Sequence, residues 1–517
     1  RCGVERVALG VHAAVGFFDD GVDVNECGLA LDAEGRQMRQ SLGNVLPPEE
    51  VIKAYGADVL RLYVLSQNAP WEDLRFNWEG VKNTARAINI FWNVYRFPLP
   101  YMILDGFSPA APAGAYDGHY VRENFTSMAP LDRWIVSRVN SLASQVTAGI
   151  TSCELHRASR ALVQFILEDL SRWYIQLVRE RMWAEGTSRE KTDAYETVYY
   201  VMRALLSLSA PFIPHVAEAM YRNLRLPGDP ESVHMLDWTG GDPALVDGEL
   251  EEMMEVARSF DDACANARQA GKRKLRWPVR ECVVATENER VATAIEALLP
   301  ICRERANARA VRVVRGRWDR VGWKAEPVMK ALGPAFGKNA PRVRDAIAAA
   351  DGNVLKAELE ARGTAVVSAG GETFEVHPGQ VTFTEVLPPG VYPAPMEGGT
   401  VYVDTTLSED LEAEGYAREI IRRYQEMRRQ LNLAVEEYVH ARALIADERI
   451  CRLVAATWKK GIMDEVRAAS LEISCGVHDV ASGMDLCTDW DVEGVKMTLA
   501  LSRARQDRGE ERAPLRG

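Results

Sequence analysis

The chain has 517 residues, with 62 Lys and Arg against 74 Asp and Glu, and a formal net charge of -12. Its length predicts about three or four domains. A content of 47% hydrophobic and 26% charged residues is that of a globular protein, and it excludes collagen-like, low-complexity and wholly disordered chains. The longest apolar stretch, residues 7–18, is shorter than the ~20 residues of a membrane helix, so no membrane partner is expected.

The nine cysteines are scattered and form no C-x-x-C pair, which predicts neither a zinc site nor a thioredoxin-type motif. An odd, unclustered set of cysteines is typical of reduced thiols, and we therefore expect a cytoplasmic protein. Residues 1–20 carry charges among their apolar residues and do not resemble a signal peptide. Because the first residue is Arg1 rather than Met, we interpret the chain as a processed product or a fragment.

Helical patterns dominate the first half of the chain. Residues 47–64 predict a helix, because prolines and acids precede apolar residues at helical spacing. Residues 78–240 contain long amphipathic stretches joined by short loops, which predicts a helical bundle. The helices in this bundle are expected at residues 78–97, 130–150, 154–185 and 190–209.

Helical and strand-like stretches alternate beyond residue 240, without a detectable internal repeat. We expect helices at 249–271 and 409–431 and strands at 281–286, 310–314, 364–367, 373–376 and 399–404. The predicted domains are 1–70, 71–240 and 241–500, and residues 501–517 have the composition of a disordered tail.

A polar loop follows a strand-like run in residues 29–44, which read LALDAEGRQMRQSLGN. Arg36 and Arg39 are cations on this loop and could reach a polyphosphate. From the residues alone, a solvated surface turn is the stronger interpretation.

This loop resembles the second signature loop of class I aminoacyl-tRNA synthetases, and the continuation VLPPEEVIKAYGADVLRLYVLS matches as well. In that family the loop stabilises the triphosphate while ATP and the amino acid form an adenylate. The resemblance implies ATP binding by Gln37, Met38, Arg39 and Gln40, and a catalytic role for Arg39, Gln40 and Ser41. Glutamine stands at both lysine positions of the family motif, and losing one such contact commonly costs ~10²–10³ in rate. Arg39 is a candidate substitute for the missing lysines.

Two further segments narrow the resemblance. Residues 69–95, APWEDLRFNWEGVKNTARAINIFWNVY, resemble the isoleucyl-tRNA synthetases of the archaeal and eukaryotic-type branch. Residues 131–140, LDRWIVSRVN, resemble the start of the anticodon-binding helical domain of the isoleucyl and valyl enzymes. This resemblance implies tRNA contacts for Arg133, Arg172 and Arg179. On physical grounds alone, Trp134 and Trp173 are core residues.

A basic segment follows the predicted bundle. It contains Arg268, Lys272, Arg273, Lys274, Arg276 and Arg280, with Trp277 among them. Cations beside an aromatic ring suit a phosphate backbone and a stacked base, and a solvated charged face is the alternative. ARQAGKRKLRWPVR resembles a stretch after the anticodon bundle of these synthetases, which implies that Arg268 through Trp277 bind tRNA.

The resemblance covers residues 25–500 and the later half of the full-length enzyme. It implies a mainly α fold with α+β parts: the end of a class I Rossmann-type catalytic domain, an anticodon-binding bundle and a mixed α/β C-terminal domain. The whole enzyme would use ATP with Mg²⁺ to attach isoleucine to tRNA(Ile), and no zinc site is expected in this chain. ATP and isoleucine would bind only with an N-terminal half, so this chain alone is expected to be inactive and to supply tRNA binding.

Two alternatives remain open. One is a non-catalytic tRNA-binding protein derived from a synthetase, which the altered signature loop favours. The other is the second chain of a split synthetase with a separate catalytic partner. A valyl-type specificity is a lesser alternative within the enzyme class.

Overall fold

The computed structural model describes residues 28–112, 114–184, 186–434, 437–476 and 480–504. The apolar stretch at 7–18 and nearly all of the predicted tail lie outside these residues. The chain divides into two compact units, residues 1–254 and 255–517. Each unit contains apolar core clusters of its own.

The described residues of unit 1 are helical apart from one short parallel strand pair, in which Ala30 of β1 (Ala30–Leu31) pairs with Leu74 of β2 (Leu74–Arg75). Its helices are α1 (Pro48–Tyr55), α2 (Ala57–Gln67), α3 (Trp78–Arg96), α4 (Leu99–Leu104), α5 (His119–Asn124), α6 (Pro130–Thr151), α7 (Leu155–Gln164), α8 (Ile175–Trp183), α9 (Arg189–Ser209) and α10 (Pro214–Leu224). A π-helix, Phe165–Tyr174, joins α7 to α8, and α11 (Gly248–Ala270) continues into unit 2.

The structure confirms the mainly α fold with α+β parts, and two predicted helices turn out to be interrupted. The helix predicted at 47–64 is two helices, because Gly56 adopts a φ of 93° that a right-handed helix cannot accommodate. The helix predicted at 154–185 contains the ten-residue π-helix, which periodicity does not distinguish from an α-helix.

The bundle is held by an apolar core that includes a buried ion pair. Trp134, Phe165 and Leu170 are buried in this core. The Asp132 carboxylate accepts a 2.7 Å hydrogen bond from the Tyr174 hydroxyl and two from the Arg181 guanidinium, at 3.1 and 2.7 Å. Burial raises the pKa of Asp132, and Arg181 opposes that shift. The pair therefore orients α6 against the π-helix and α8.

A second buried acid has no cation beside it. Glu196 of α9 is 2% exposed, and one of its carboxylate oxygens accepts a 2.8 Å hydrogen bond from the Ala110 N–H. Its Oε2 atom is buried without a hydrogen-bond partner. Burial raises the pKa of Glu196 to about 7. The carboxyl group is therefore largely protonated in the folded protein at mildly acidic pH.

Unit 2 contains two four-stranded sheets, with strand orders β4-β3-β10-β9 and β12-β11-β14-β13. The strands are β3 (Val279–Thr286), β4 (Ala308–Arg315), β5 (Gly322–Pro327), β6 (Ala365–Ala369), β7 (Glu372–Val376), β8 (Val381–Val386), β9 (Val391–Met396), β10 (Gly399–Asp404), β11 (Val439–Ile445), β12 (Ala468–Cys475), β13 (Leu486–Val492) and β14 (Val495–Arg503). The helices are α12 (Glu289–Ala297), α13 (Leu299–Arg305), α14 (Met329–Phe336), α15 (Ala340–Ala349), α16 (Gly352–Arg362), α17 (Glu409–Gln430), α18 (Glu448–Thr457) and α19 (Lys459–Val466).

These two sheets belong to two copies of one substructure. The first copy runs α11, β3, α12, α13, β4 and then the hairpin β9–β10, and the second runs α17, β11, α18, α19, β12 and the hairpin β13–β14. In each copy the first two strands are parallel, and the last strand of the hairpin pairs antiparallel with the first strand. The structure therefore repeats one arrangement of helices and strands, although the sequence shows no detectable internal repeat.

A buried arginine at the end of the first helix recurs in both copies. The Arg268 guanidinium is 1% exposed and donates to the carbonyl oxygens of Lys274, Trp277 and Ala306. At the matching positions of the second copy, Arg428 donates to the carbonyl oxygens of Ala434, Glu437 and Val466. Burial lowers the pKa of both arginines. Each arginine thus ties its helix to the following loop and to the start of the second strand.

The first copy carries an insertion between β4 and β9. This insertion, β5 through β8 with α14, α15 and α16, has its own apolar core, in which Leu332, Val343 and Ile347 are fully buried. In the second copy β12 is followed by β13. The insertion therefore adds a small substructure without changing the shared one.

The cysteines differ from the expectation of reduced thiols. Cys451 of α18 and Cys475 of β12 form a disulfide, while Cys264 and Cys282 are buried free thiols with their sulfur atoms 3.8 Å apart. Spacing could not predict this pair, because the fold brings together two residues from different elements. A membrane-spanning helix would need a longer apolar run than any helix in the described part of the chain offers.

The Glu196→Gln substitution is expected to remove part of the pH dependence of stability. The pKa of Glu196 is raised from 4.5 to about 7 in the folded protein. Protonation of Glu196 therefore contributes fully to the free energy of unfolding below pH 4.5, and this contribution is lost as pH rises towards 7. Over this pH interval the free energy of unfolding of wild type should fall by up to about 3 kcal/mol relative to that of the variant. Urea unfolding monitored by circular dichroism from pH 4.5 to 8 measures this difference. Parallel curves of unfolding free energy against pH for the two proteins would contradict the raised pKa of Glu196.

Removing either buried arginine is expected to destabilise its own copy. Arg268→Met and Arg428→Met remove the side-chain donors to backbone carbonyl oxygens, among them those of Ala306 and Val466, and each loss should cost about 3 kcal/mol or more. Hydrogen exchange should rise in β3 and β4 for the first variant and in β11 and β12 for the second. Arg452→Ala, which removes a largely exposed arginine, is the control and should change stability by less than about 0.5 kcal/mol. Identical hydrogen-exchange patterns in the two arginine variants would refute the prediction that each arginine stabilises its own copy.

Candidate nucleic-acid interface

The polar loop of residues 32–44 is closed around the Asp32 carboxylate. This carboxylate accepts hydrogen bonds from the Arg36 backbone N–H at 2.7 Å, from Arg36 Nε at 2.9 Å and from Asn44 Nδ2 at 2.9 Å. The Asn44 hydrogen bond, with the Arg36 contacts, lowers the pKa of Asp32 to about 2. Arg36 is therefore paired within the loop, which reduces the charge that it offers to a phosphate.

The predicted ATP-binding residues follow Asp32 on the exposed side of this loop. The Arg39 guanidinium donates to Gln37 Oε1 at 2.6 Å, and the Arg39 backbone N–H donates to Asn44 Oδ1 at 2.9 Å. Gln40 and Ser41 begin a short 3-10 turn and are exposed, and Met38 is half-buried. Within the described residues Arg39 forms no ion pair. The loop therefore presents one uncompensated cation, where the synthetase motif has two lysines.

The three predicted arginines of the bundle lie in different environments. Arg133 Nε forms a 3.1 Å ion pair with Asp247 and is partly buried, which indicates a structural role. Arg172 lies on the π-helix, is exposed and pairs with Glu168 at 2.6 Å. Arg179 is exposed and packs against aromatic rings. Of these three, Arg179 alone combines exposure with an aromatic surface.

An aromatic surface surrounds Arg179. The guanidinium carbon lies 5.2 Å from the ring centroid of Phe97 and 5.5 Å from that of Trp183, and Tyr101 contacts both rings. Trp183 is 43% exposed. An exposed arginine beside accessible rings can hold a phosphate and stack a base. Phe97, Tyr101 and Trp183 were not predicted from the sequence, because only the fold brings the segment with Phe97 and Tyr101 next to the helix with Arg179 and Trp183.

The basic segment after the bundle divides into buried and exposed residues. The prediction that Arg268 and Trp277 contact RNA needs correction, because both are buried in the fold. Arg268 binds backbone carbonyl groups, and Trp277, 3% exposed, packs edge-on against Tyr416 with ring centroids 5.0 Å apart. Their side chains stabilise unit 2 and offer no surface to a polynucleotide.

The remaining cations of the segment lie at or near the surface. Lys274 pairs with Glu493 at 2.6 Å, and Arg276 lies 3.8 Å from Glu419, which also binds Arg423. Arg273 is half-buried, and its guanidinium lies over the Trp277 ring at 5.6 Å. Lys272 is exposed, with a positive φ of 52° that turns the chain out of α11. Lys272, Lys274 and Arg276 therefore remain candidates for phosphate contact.

The described residues contain no group of three or more His, Cys, Asp or Glu side chains arranged to hold a metal ion.

Family models match two parts of the chain. Residues 22–77 match the class I tRNA synthetases of the isoleucine, leucine, methionine and valine group, and residues 132–284 match the anticodon-binding domain of tRNA ligases. The chain is 56% identical over 493 residues to the isoleucine–tRNA ligase of Methanoregula boonei, covering 92% of this chain and 46% of that protein. It is 57% identical over 481 residues to that of Methanoculleus marisnigri, covering 92% and 45%.

The chain therefore spans about half the length of the curated relatives it matches. Among solved structures, a ternary complex of leucyl-tRNA synthetase with tRNA from Agrobacterium radiobacter gives a TM-score of 0.31 at 20% identity. That alignment covers 43% of this chain and 24% of the other, and a score this low supports no conclusion.

Asn44→Ala is expected to loosen the polar loop without unfolding unit 1. Asn44 holds the loop through Asp32, the Gln37 carbonyl and the Arg39 N–H, so its loss should free the backbone around Arg36 and Arg39 to enter the active site of trypsin. Cleavage after these arginines, measured by mass spectrometry, should be several-fold faster than in wild type. Gln40→Ala is the control, and equal cleavage in both variants would show that Asn44 does not order the loop.

Proposed function

Because the chain belongs to the isoleucine–tRNA ligase family, we propose that it provides the tRNA-binding, C-terminal part of such a ligase. The whole ligase would attach isoleucine to tRNA(Ile) in the cytoplasm, using ATP with Mg²⁺. In this proposal the described residues bind tRNA, and isoleucine is bound by the rest of the ligase.

The observation that carries the proposal is the Arg179 surface, whose Arg179 and Trp183 lie in the segment that matches the anticodon-binding domain. Anticodon loops are single-stranded, and unpaired bases are typically bound by stacking on aromatic rings and arginine planes. Phe97, Tyr101 and Trp183 supply such rings beside a cation that no acid neutralises in the described residues. Lys272, Lys274 and Arg276 add positive charge for the phosphate backbone.

The signature loop favours a second candidate, in which the chain binds tRNA without catalysing adenylate formation. Gln37 and Gln40 carry no charge, and Arg36 is held by Asp32. Only Arg39 is free to offset charge on a departing pyrophosphate, and its planar guanidinium does not reproduce the geometry of a lysine. A split ligase with a separate catalytic chain is the intermediate case. Isoleucine-dependent pyrophosphate exchange by the chain with and without the N-terminal part of a relative separates these cases.

Direct binding tests the proposed function. The purified chain should bind tRNA(Ile) about tenfold or more tightly than tRNA(Val), with an affinity that falls as salt rises, because phosphate contacts release counterions. Removing the Arg179 surface in R179A/W183A should weaken binding of tRNA(Ile) about tenfold or more.

The control for this experiment is Arg157→Ala, which removes an exposed bundle arginine paired with Glu154 and should leave binding unchanged. Equal weak binding of both tRNAs, or none, would rule out tRNA recognition by this chain. Equal affinities of wild type and R179A/W183A would leave tRNA binding intact but reject the Arg179 surface as its site.

A further inference from the structure

A cleft of about 810 Å³ lies within unit 2, between the first sheet and the helices of the second copy. Arg280 of β3 and Arg309 of β4 line one side, at neighbouring positions of the parallel pair. Trp458, between α18 and α19, lines the other side, and the linker from Thr406 into α17 completes the wall with Asp410. A cleft of this size accommodates a nucleotide.

Arg280 is not used by the fold. It is exposed, and it forms no ion pair or side-chain hydrogen bond within the described residues. Arg309 binds Glu414, which also accepts a 2.9 Å hydrogen bond from Arg418. Glu414 would therefore keep a cationic partner if Arg309 turned to a ligand.

Trp458 is positioned to stack. It is half-buried, and it packs against the apolar core of the second copy while also lining the cleft. A ring fixed on one side by the core is pre-oriented, so stacking on its accessible side costs little side-chain entropy.

The two copies in unit 2 allow the positions of Arg280, Arg309 and Trp458 to be compared with the matching positions of the other copy. In the second copy His440 replaces Arg280, and Ala469, at a bulge in β12, replaces Arg309. In the first copy the buried Leu298 ends α12 where Trp458 ends α18. The same fold thus forms without the arginines in one copy and without the tryptophan in the other. The fold that the two copies share therefore does not by itself require these three residues.

We propose that this cleft binds one nucleotide of the tRNA, with its phosphate on Arg280 and Arg309 and its base stacked on Trp458. The proposal rests on the proposed tRNA-binding function and adds a site separate from the Arg179 surface. Paired arginines provide forked donors for phosphate oxygens, and a tryptophan supplies a face for a base. The Asp410 carboxylate can accept from a base amino group and disfavours a ligand with several negative charges.

Each copy supplies the substitutions that test the proposal, since the other copy already tolerates those residues. In R280H/R309A, affinity for tRNA(Ile) should fall about tenfold or more, and the slope of log affinity against log salt should decrease by about one. W458L should lower affinity about fivefold or more and leave the slope unchanged, because stacking carries no counterion.

The matched control is R342A/R452A, which removes the same charge from two exposed arginines outside the cleft and should bind like wild type. If wild type binds tRNA(Ile) and R280H/R309A and W458L bind within twofold of this control, the cleft is not a nucleotide site and the proposed function stands. If wild type itself fails to bind, the proposed function falls and the cleft proposal falls with it. Single R280H, R309A and W458L variants, checked for correct folding by circular dichroism, assign the loss of affinity to individual residues.

Discussion

A guanidinium buried at the end of a long helix must be surrounded by acceptors, and this requirement organises both copies in unit 2. Arg268 and Arg428 each turn the next loop back over the helix end, so that its carbonyl groups face inward. Lys272 and Asn432, at the same step after each arginine, both take a positive φ to make that turn. Each arginine also holds the residue before the second strand, which aligns that strand with the first. Helix, loop and sheet are thus fixed by one side chain.

Burial in the structure distinguishes structural cations from accessible ones, which the sequence alone does not. In the basic segment, Arg268 and Trp277 are buried and Lys272 and Lys274 are exposed, although the four lie within ten residues of one another. A run of positive charge predicts a surface only if every residue in it is solvated. Helical turns and strand alternation place neighbours on opposite sides, so a contiguous run mixes structural and accessible side chains.

Much of the fold could be predicted from periodicity, because long amphipathic helices such as α3, α6, α9 and α17 leave clear patterns. The strand β10 was also evident, since its sequence GTVYVD is rich in β-branched and aromatic residues. In the second copy the long helix α17 was predicted, but β11 to β14 and the short helices α18 and α19, of 10 and 8 residues, were not. The aromatic partners of Arg179 and the disulfide of Cys451 escaped because they depend on contacts between distant segments. The loop at 37–41 was found by resemblance, but its hydrogen bonds to Asn44 required the structure.

Comparison of the two copies distinguishes residues that the shared fold requires from residues that it only tolerates. Where both copies keep a residue in the same role, as with Arg268 and Arg428, the shared backbone explains it. Where they differ at matched positions, as with Arg280 against His440, the fold accepts either residue and a ligand becomes the simplest reason for a cation. The two copies contribute different residues to one cleft, the first its arginines and the second its tryptophan. Two similar substructures with different side chains can thus form one asymmetric site, since neither copy alone holds both the phosphate-binding and the stacking group.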